Sequence, residues 1–190
     1  TNALAMFSDS MTALKTLDKQ LAASVIARDK EIDRKFLMLS RQFRTALRDF
    51  GVEEQLQIRR IQFFDLHTVA RQLERVADHA VKIAAVAGSL KEKLPQSMIR
   101  ALEEAGNLAI GIVQQAMEAL EKLNFELANL AINEGPRVDE RLLKLSRMLR
   151  DLEPGVASLM SIAIDSIRRV KDYGANIAEV AMNASADAKP

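Results

Sequence analysis

Four carboxylates, arranged as two pairs, are the residues of this chain best placed to do chemistry. Glu74 and Asp78 stand four apart in Leu73-Glu74-Arg75-Val76-Ala77-Asp78-His79-Ala80, and Asp29 and Asp33 stand four apart in Arg28-Asp29-Lys30-Glu31-Ile32-Asp33. In a helix that spacing sets both acids of a pair on one face, a turn apart. Asp29 also interrupts an apolar stripe made by Ala22, Val25, Ile32, Phe36, Leu39 and Phe43. A carboxylate there is costly unless it is paired, protonated or bound to metal. Apposed, the two pairs would form an all-oxygen site suited to Fe, Mn, Mg or Ca. His67, seven residues before Glu74, falls on nearly the same side and is an accessory candidate, whereas His79 lies one residue off the Asp78 face and is expected to be exposed. The competing reading is plain: acids four apart on a charged helix are usually a solvated face partnered by Arg or Lys.

The elements that must hold these acids are helical. Leu66, Val69, Leu73, Val76, Ala80, Ile83 and Ala87 recur at steps of three and four and make one apolar stripe, with Ala70 and Ala77 small enough to admit a neighbouring helix. Six helices are expected. The first spans residues 2–17. The second is capped by Asp18 and runs to Asp49, stopping at Phe50-Gly51, and the third covers 52–93 and ends at Leu94-Pro95. The fourth covers 96–123. The fifth, capped by Asn124, covers 125–152 with a kink at Gly135-Pro136, and the sixth follows Glu153-Pro154-Gly155 and runs to Asn183 before a polar tail. No stretch alternates with period two for long enough to be a strand.

The halves repeat. At a constant offset, Met11-x-Ala13-Leu14 lies on Met117-x-Ala119-Leu120, Leu17 on Leu123, Asp18 on Asn124, Asp33 on Asp139, and Leu39-Ser40-Arg41 on Leu145-Ser146-Arg147. A shorter offset then lays Leu73 to Asp78 on Ile167 to Asp172, as a trimmed connection requires. The expected architecture is therefore all-α: two tandem three-helix bundles, residues 1–94 and 95–190, related by an approximate two-fold axis.

Composition narrows the function classes. Of 190 residues, 48% are hydrophobic and 28% charged, with no Trp and few Gly or Pro, which favours helices over strands. A net charge of +1 calls for neither nucleic acid nor an anionic membrane as partner. The absence of Cys excludes disulfides, thiolate zinc and a Cys nucleophile, and is compatible with the cytosol. The longest uncharged stretches fall short of a membrane span and no signal peptide is expected, so the chain reads as soluble and cytoplasmic. It opens with Thr1-Asn2-Ala3 rather than Met, which leaves open a preceding domain.

With motif and duplication in view, the sequence resembles the PhoU family of phosphate-uptake regulators. Leu73 to Ala80 is similar to that family's Leu-Glu-Arg-Ile-Gly-Asp-His-Ala signature, and Asp172-Tyr173-Gly174-Ala175-Asn176-Ile177-Ala178-Glu179 to the tail of its second copy. The resemblance implies two three-helix repeats, each able to hold a multinuclear cluster of iron or another hard divalent or trivalent cation. The motif acids carry over to Asp29, Asp33, Glu74 and Asp78. The second half departs: Gly135 stands for Asp29 and Arg168 for Glu74, leaving Asp139 and Asp172 as a degenerate site in which Arg168 is expected to pair with one of the two acids. In the first half Lys82 replaces a common Asn and is placed to compete for Asp78.

No nucleophile with a base, phosphate-cradling glycine loop or redox motif is present, so no enzyme is expected. The resemblance implies a regulator of phosphate transport and homeostasis that contacts a transporter subunit or a sensor protein, with a homodimer left open. Two rivals are an effector domain behind a separate DNA-binding module and a di-metal helical-bundle enzyme. The latter would carry Glu-x-x-His motifs, and neither His follows a Glu at that spacing.

Overall fold

The computed structural model describes residues 2–49 and 51–187, and every regular element among them is helical. In chain order these are α1 (Asn2–Thr16), α2 (Lys19–Arg48), α3 (Gly51–Leu56), α4 (Arg60–Ser89), α5 (Gln96–Lys122), α6 (Phe125–Asn133), α7 (Gly135–Met148) and α8 (Pro154–Asp187), with a 3-10 turn at Leu149–Asp151. Helices α1, α2 and α4 pack into one bundle, and α5, the α6–α7 pair and α8 into another. Between the bundles α4 lies against α8. Stripes of wholly buried alanines such as Ala77, Ala80 and Ala84 on α4, Ala105, Ala109 and Ala116 on α5 and Ala178 and Ala181 on α8 let backbones approach, while Phe7, Met6, Leu14, Ile83 and Ile167 fill the volume left.

The duplication extends to turn geometry. Leu17 and Leu123 both adopt the left-handed conformation, with φ of 58° and 48°, ending α1 and α5. The next residue then caps the following helix: Asp18 accepts from the amides of Gln20 and Leu21 at 3.0 and 2.9 Å, and Asn124 from Leu127 at 2.9 Å. Each carboxylate or amide oxygen satisfies donors that the helix itself leaves free.

The third expected helix is interrupted. It is broken between α3 and α4, where Gln57 sits at φ 52° and Gln62 Oε1 turns back to accept from the amide of Arg59 at 2.9 Å. It also stops at Ser89 instead of Lys93, because Leu90 and Leu94 leave helical register to bury themselves, at 2% and 7% exposure, in the strap joining the bundles. The fifth helix divides at Gly135-Pro136 into α6 and α7. Helix α8 continues past Asn183 to Asp187. Helix α2 ends at Arg48, and the Asp49 carboxylate accepts from the Gly51 amide at 2.9 Å. Phe50, part of the expected stop, and residues 188–190 of the tail lie outside the described residues.

Two corrections concern burial on α4. Leu66, counted in its apolar stripe, is 46% exposed, because α1 has half the length of α2 and α4 and does not reach this end. His79, expected in solvent, is 6% exposed: α8 covers the side of α4 that a lone bundle would leave wet. Its Nε2 is 3.4 Å from Tyr173 Oη, and its buried Nδ1 has no partner among the described residues. Burial, with the nearby Lys82 charge, brings the imidazole pKa down to about 4, so it is neutral at pH 7.

The tightest approach is between α5 and α8 at Gly174, where a Cβ would fall 2.8 Å from Ile112 Cγ2 and 3.0 Å from the backbone nitrogen of Val113. Gly174→Ala should therefore destabilise the fold by about 1–3 kcal/mol through overpacking, lowering the melting temperature by roughly 2–4 °C per kcal/mol. At Gly106 the added Cβ would meet the flexible end of Met11. Gly106→Ala should be near neutral in the same thermal unfolding experiment, since about 1 kcal/mol of helix propensity offsets the crowding.

Candidate metal centre

The α2–α4 interface brings three of the four candidate acids together. One carboxylate oxygen each from Asp29, Asp33 and Asp78 lies within 4.8 Å of the others, two acids coming from successive turns of α2 and one from α4. Asp29 and Asp78 are half-buried and Asp33 is exposed. Asp29 Oδ1 is buried and accepts no hydrogen bond from any described residue. Burial first, then the charges of Asp33 and Asp78, raise the Asp29 pKa. Asp78 is likewise raised by burial and by Asp33, with Lys82, Arg75 and Arg71 pulling the other way. An orphaned acceptor among like charges is a costly arrangement that a cation would relieve, so these side chains fit a hard metal.

Glu74 stands outside this triad. Its carboxylate is 3.5 Å from the Arg71 guanidinium, which in turn lies 4.3 Å over the Phe36 ring. Burial and the Asp78 charge nonetheless raise its pKa, against the opposing pull of Arg71 and Arg75. Lys82 makes no ion pair with Asp78 among the described residues; it acts on that acid only through its charge. His67 is far from the cluster in character as well as position. Its ring stacks on Phe43 at 4.5 Å and tilts against Phe36, with Nε2 3.1 Å from Ser40 Oγ. Burial, with Arg71 adding to it, lowers its pKa.

The second repeat corrects the expectation placed on Arg168. That guanidinium points to Asp165 on its own helix, at 3.7 Å, and reaches neither Asp139 nor Asp172. Lys171 takes the role instead. Its ammonium lies 2.9 and 3.1 Å from the two oxygens of Asp139 and 3.0 Å from Asp172, with a side chain only 13% exposed. Burial opposes the charge on Lys171, but the hydrogen bonds to Asp139 and Asp172 and their charges outweigh it, and its pKa is raised. The signal was present in the repeat, since Lys171 aligns with Ala77, which is wholly buried. A long side chain at an inward position must send its head group to whatever acid lies beyond. Gly135 opposite leaves room for the stem, Lys171 Cδ being 3.8 Å from where a Cβ would stand.

A family model described as PhoU domain matches residues 1–87 and 102–181. Among solved structures, the chain is similar to PhoU from Pseudomonas aeruginosa, with a TM-score of 0.85 and 22% identity over 97% of this chain and 90% of that one. It is also similar to the phosphate transport system regulatory protein PhoU from Streptococcus pneumoniae, with a TM-score of 0.80 and 21% identity over 96% and 87%. No curated protein sequence matches it.

Two outcomes follow for the acids. With a chelator present at pH 7, Asp29→Asn should melt a few degrees above the parent, since the amide keeps the shape and removes the repulsion. A carboxyl whose folded pKa is raised favours folding below its unfolded pKa and loses that contribution as pH rises through the folded value. The advantage of Asp29→Asn should therefore shrink as pH falls from 7 toward the ordinary carboxylate range, and His79, common to both proteins, cancels in the comparison. In the second repeat, Lys171→Ala should cost about 1–3 kcal/mol in urea unfolding by removing the charged hydrogen bonds to Asp139 and leaving Asp172 only Arg169, at 3.8 Å, whereas Arg168→Ala should stay within about 0.5 kcal/mol.

Proposed function

The chain belongs to the PhoU domain family, and from that premise we propose that it is a cytoplasmic, non-enzymatic regulator of phosphate transport that works by contact with a transporter subunit or a sensor protein. The observation that carries the metal part of this reading is the convergence of Asp29, Asp33 and Asp78 on a buried, unpartnered Asp29 Oδ1. In this reading Asp29, Asp33 and Asp78 would hold a hard cation, with Glu74, one turn before Asp78, as a further candidate ligand. The cation supplies charge compensation and ties α2 to α4. Residues 1–94 then form a metal-dependent repeat and residues 95–190 a repeat whose own ammonium, that of Lys171, occupies the equivalent place.

The di-metal enzyme reading loses support from the histidines. His67 is held between Phe36 and Phe43, and His79 is held at the bundle interface, so neither offers imidazole to the acids. Among the described residues no helix is long and apolar enough to cross a membrane, which is consistent with action on a transporter from outside its spans.

Deleting the gene and growing cells in phosphate-replete medium tests the regulatory reading. Raised phosphate uptake, or a starvation response that stays on, is expected, and the parent gene should reverse it. Unchanged uptake and an unchanged response would discard the proposal. For the metal, content measured after purification should fall in Asp29→Asn and Glu74→Ala and persist in Asp172→Ala. Loss of binding in Asp172→Ala alone would reverse the assignment of repeats.

A further inference from the structure

The near-zero net charge conceals a segregation along α2. That helix carries eight Lys and Arg against three carboxylates, and two of the three, Asp29 and Asp33, belong to the acid cluster. The third, Glu31, is held by Lys35 at 2.6 Å. From Arg34 to Arg48 there is no acid. Arg34, Leu37, Met38, Arg41, Arg44 and Arg48 recur at steps of three and four and so share one side of the helix, and all six are exposed. Leu37 and Met38 expose 52% and 58% of their surface. Among the described residues, no carboxylate pairs with any of these four guanidinium groups.

The other repeat is an internal control. Helices α6 and α7, which occupy the place of α2, hold with the junction residue Glu134 four acids and four bases. There Arg137 pairs with Glu134 at 2.6 Å, Lys144 with Glu140 at 2.7 Å, and Arg141 with Glu104 at 3.5 Å. Three of these four bases thus meet an acid, Arg147 being the exception among the described residues, whereas none of the four arginines on the α2 face does.

Shape and charge together select the partner. Among the described residues helix α2 packs on α1, α3 and α4, so its far side is a convex ridge on the outside of the molecule. A ridge of one sign, with apolar side chains between the charges, lacks the alternating acids and bases by which protein partners set register. It matches a flat surface of uniform negative charge over an apolar interior. We propose that the outward face of α2 docks on an anionic lipid bilayer, with Arg34, Arg41, Arg44 and Arg48 against lipid phosphates and Leu37 and Met38 at the acyl boundary. Guanidinium groups suit this task because their planar forks bind phosphate oxygens in pairs. The inference stands independently of the metal and of the regulatory reading.

The test is flotation of the full chain with vesicles of phosphatidylcholine alone, or with about one third phosphatidylglycerol, at low salt. Binding is expected on the mixed vesicles only, and should weaken as salt is added. The quadruple variant R34Q/R41Q/R44Q/R48Q keeps good helix formers, which circular dichroism can verify, and should bind roughly fivefold more weakly for each guanidinium removed. The matched variant R137Q/R141Q/K144Q/R147Q should retain binding, and L37Q/M38Q should lose most of what survives at high salt. Equal binding to neutral vesicles, no binding to the mixed ones, or an unaffected α2 quadruple variant would overturn the proposal. Capture on polyglutamate without capture on vesicles would overturn it in favour of an acidic protein partner.

Discussion

Charge balance across the contact between the second and third helices of each repeat governs this molecule. In the first repeat Asp29, Asp33 and Asp78 face one another with no ion-paired cation among the described residues, and burial sharpens the repulsion felt by Asp29 and Asp78. In the second, the same contact is closed by Lys171, whose ammonium reaches both Asp139 and Asp172. One fold therefore carries two electrostatic outcomes: carboxylates left facing one another on one side, and an internal ammonium supplied on the other. The asymmetry is chemical as well as geometric, since α2 runs unbroken past its acids while its counterpart divides at Gly135-Pro136 beside Lys171.

The contact between α4 and α8 explains much of what surrounds that balance. Helix α4 is covered on one side by α1 and α2 and on another by α8, which is why His79 is buried and stays neutral where a lone bundle would leave it wet. Small residues make such two-sided packing feasible. Ala77, Ala80 and Ala84 present no bulk, and Gly174 lets α5 come close enough to α8 that a single added carbon would strike backbone. Where that coverage ends, the apolar surface comes out into solvent. Leu66 and Phe64 on α4 are more than two fifths exposed, and so are Leu37 and Met38 on the outward side of α2.

The sequence by itself determined the helices, their caps and their duplication, because these depend on neighbours within a few positions. Asp18 and Asn124 are legible as caps since a short polar side chain before an apolar stripe has local donors to satisfy, and both do so here. The two i, i+4 acid pairs are legible for the same reason. Where helix ends were misplaced, at Gln57 and at Leu90 to Leu94, a tertiary demand prevailed over local propensity: the strap had to bury two leucines, and the chain had to turn before α4.

Only the tertiary structure decided which charges meet. The convergence of Asp29, Asp33 and Asp78, the separate pairing of Glu74 with Arg71, and the choice of Lys171 over Arg168 all depend on how two helices are rotated against each other. A rotation of one residue moves a side chain by about 100° around a helix, and no spacing rule within one strand of sequence contains that angle. The same holds for the cationic ridge of α2: a net charge of +1 is a sum over the chain, whereas a surface potential depends on which acids are drawn inward and which bases are left facing out.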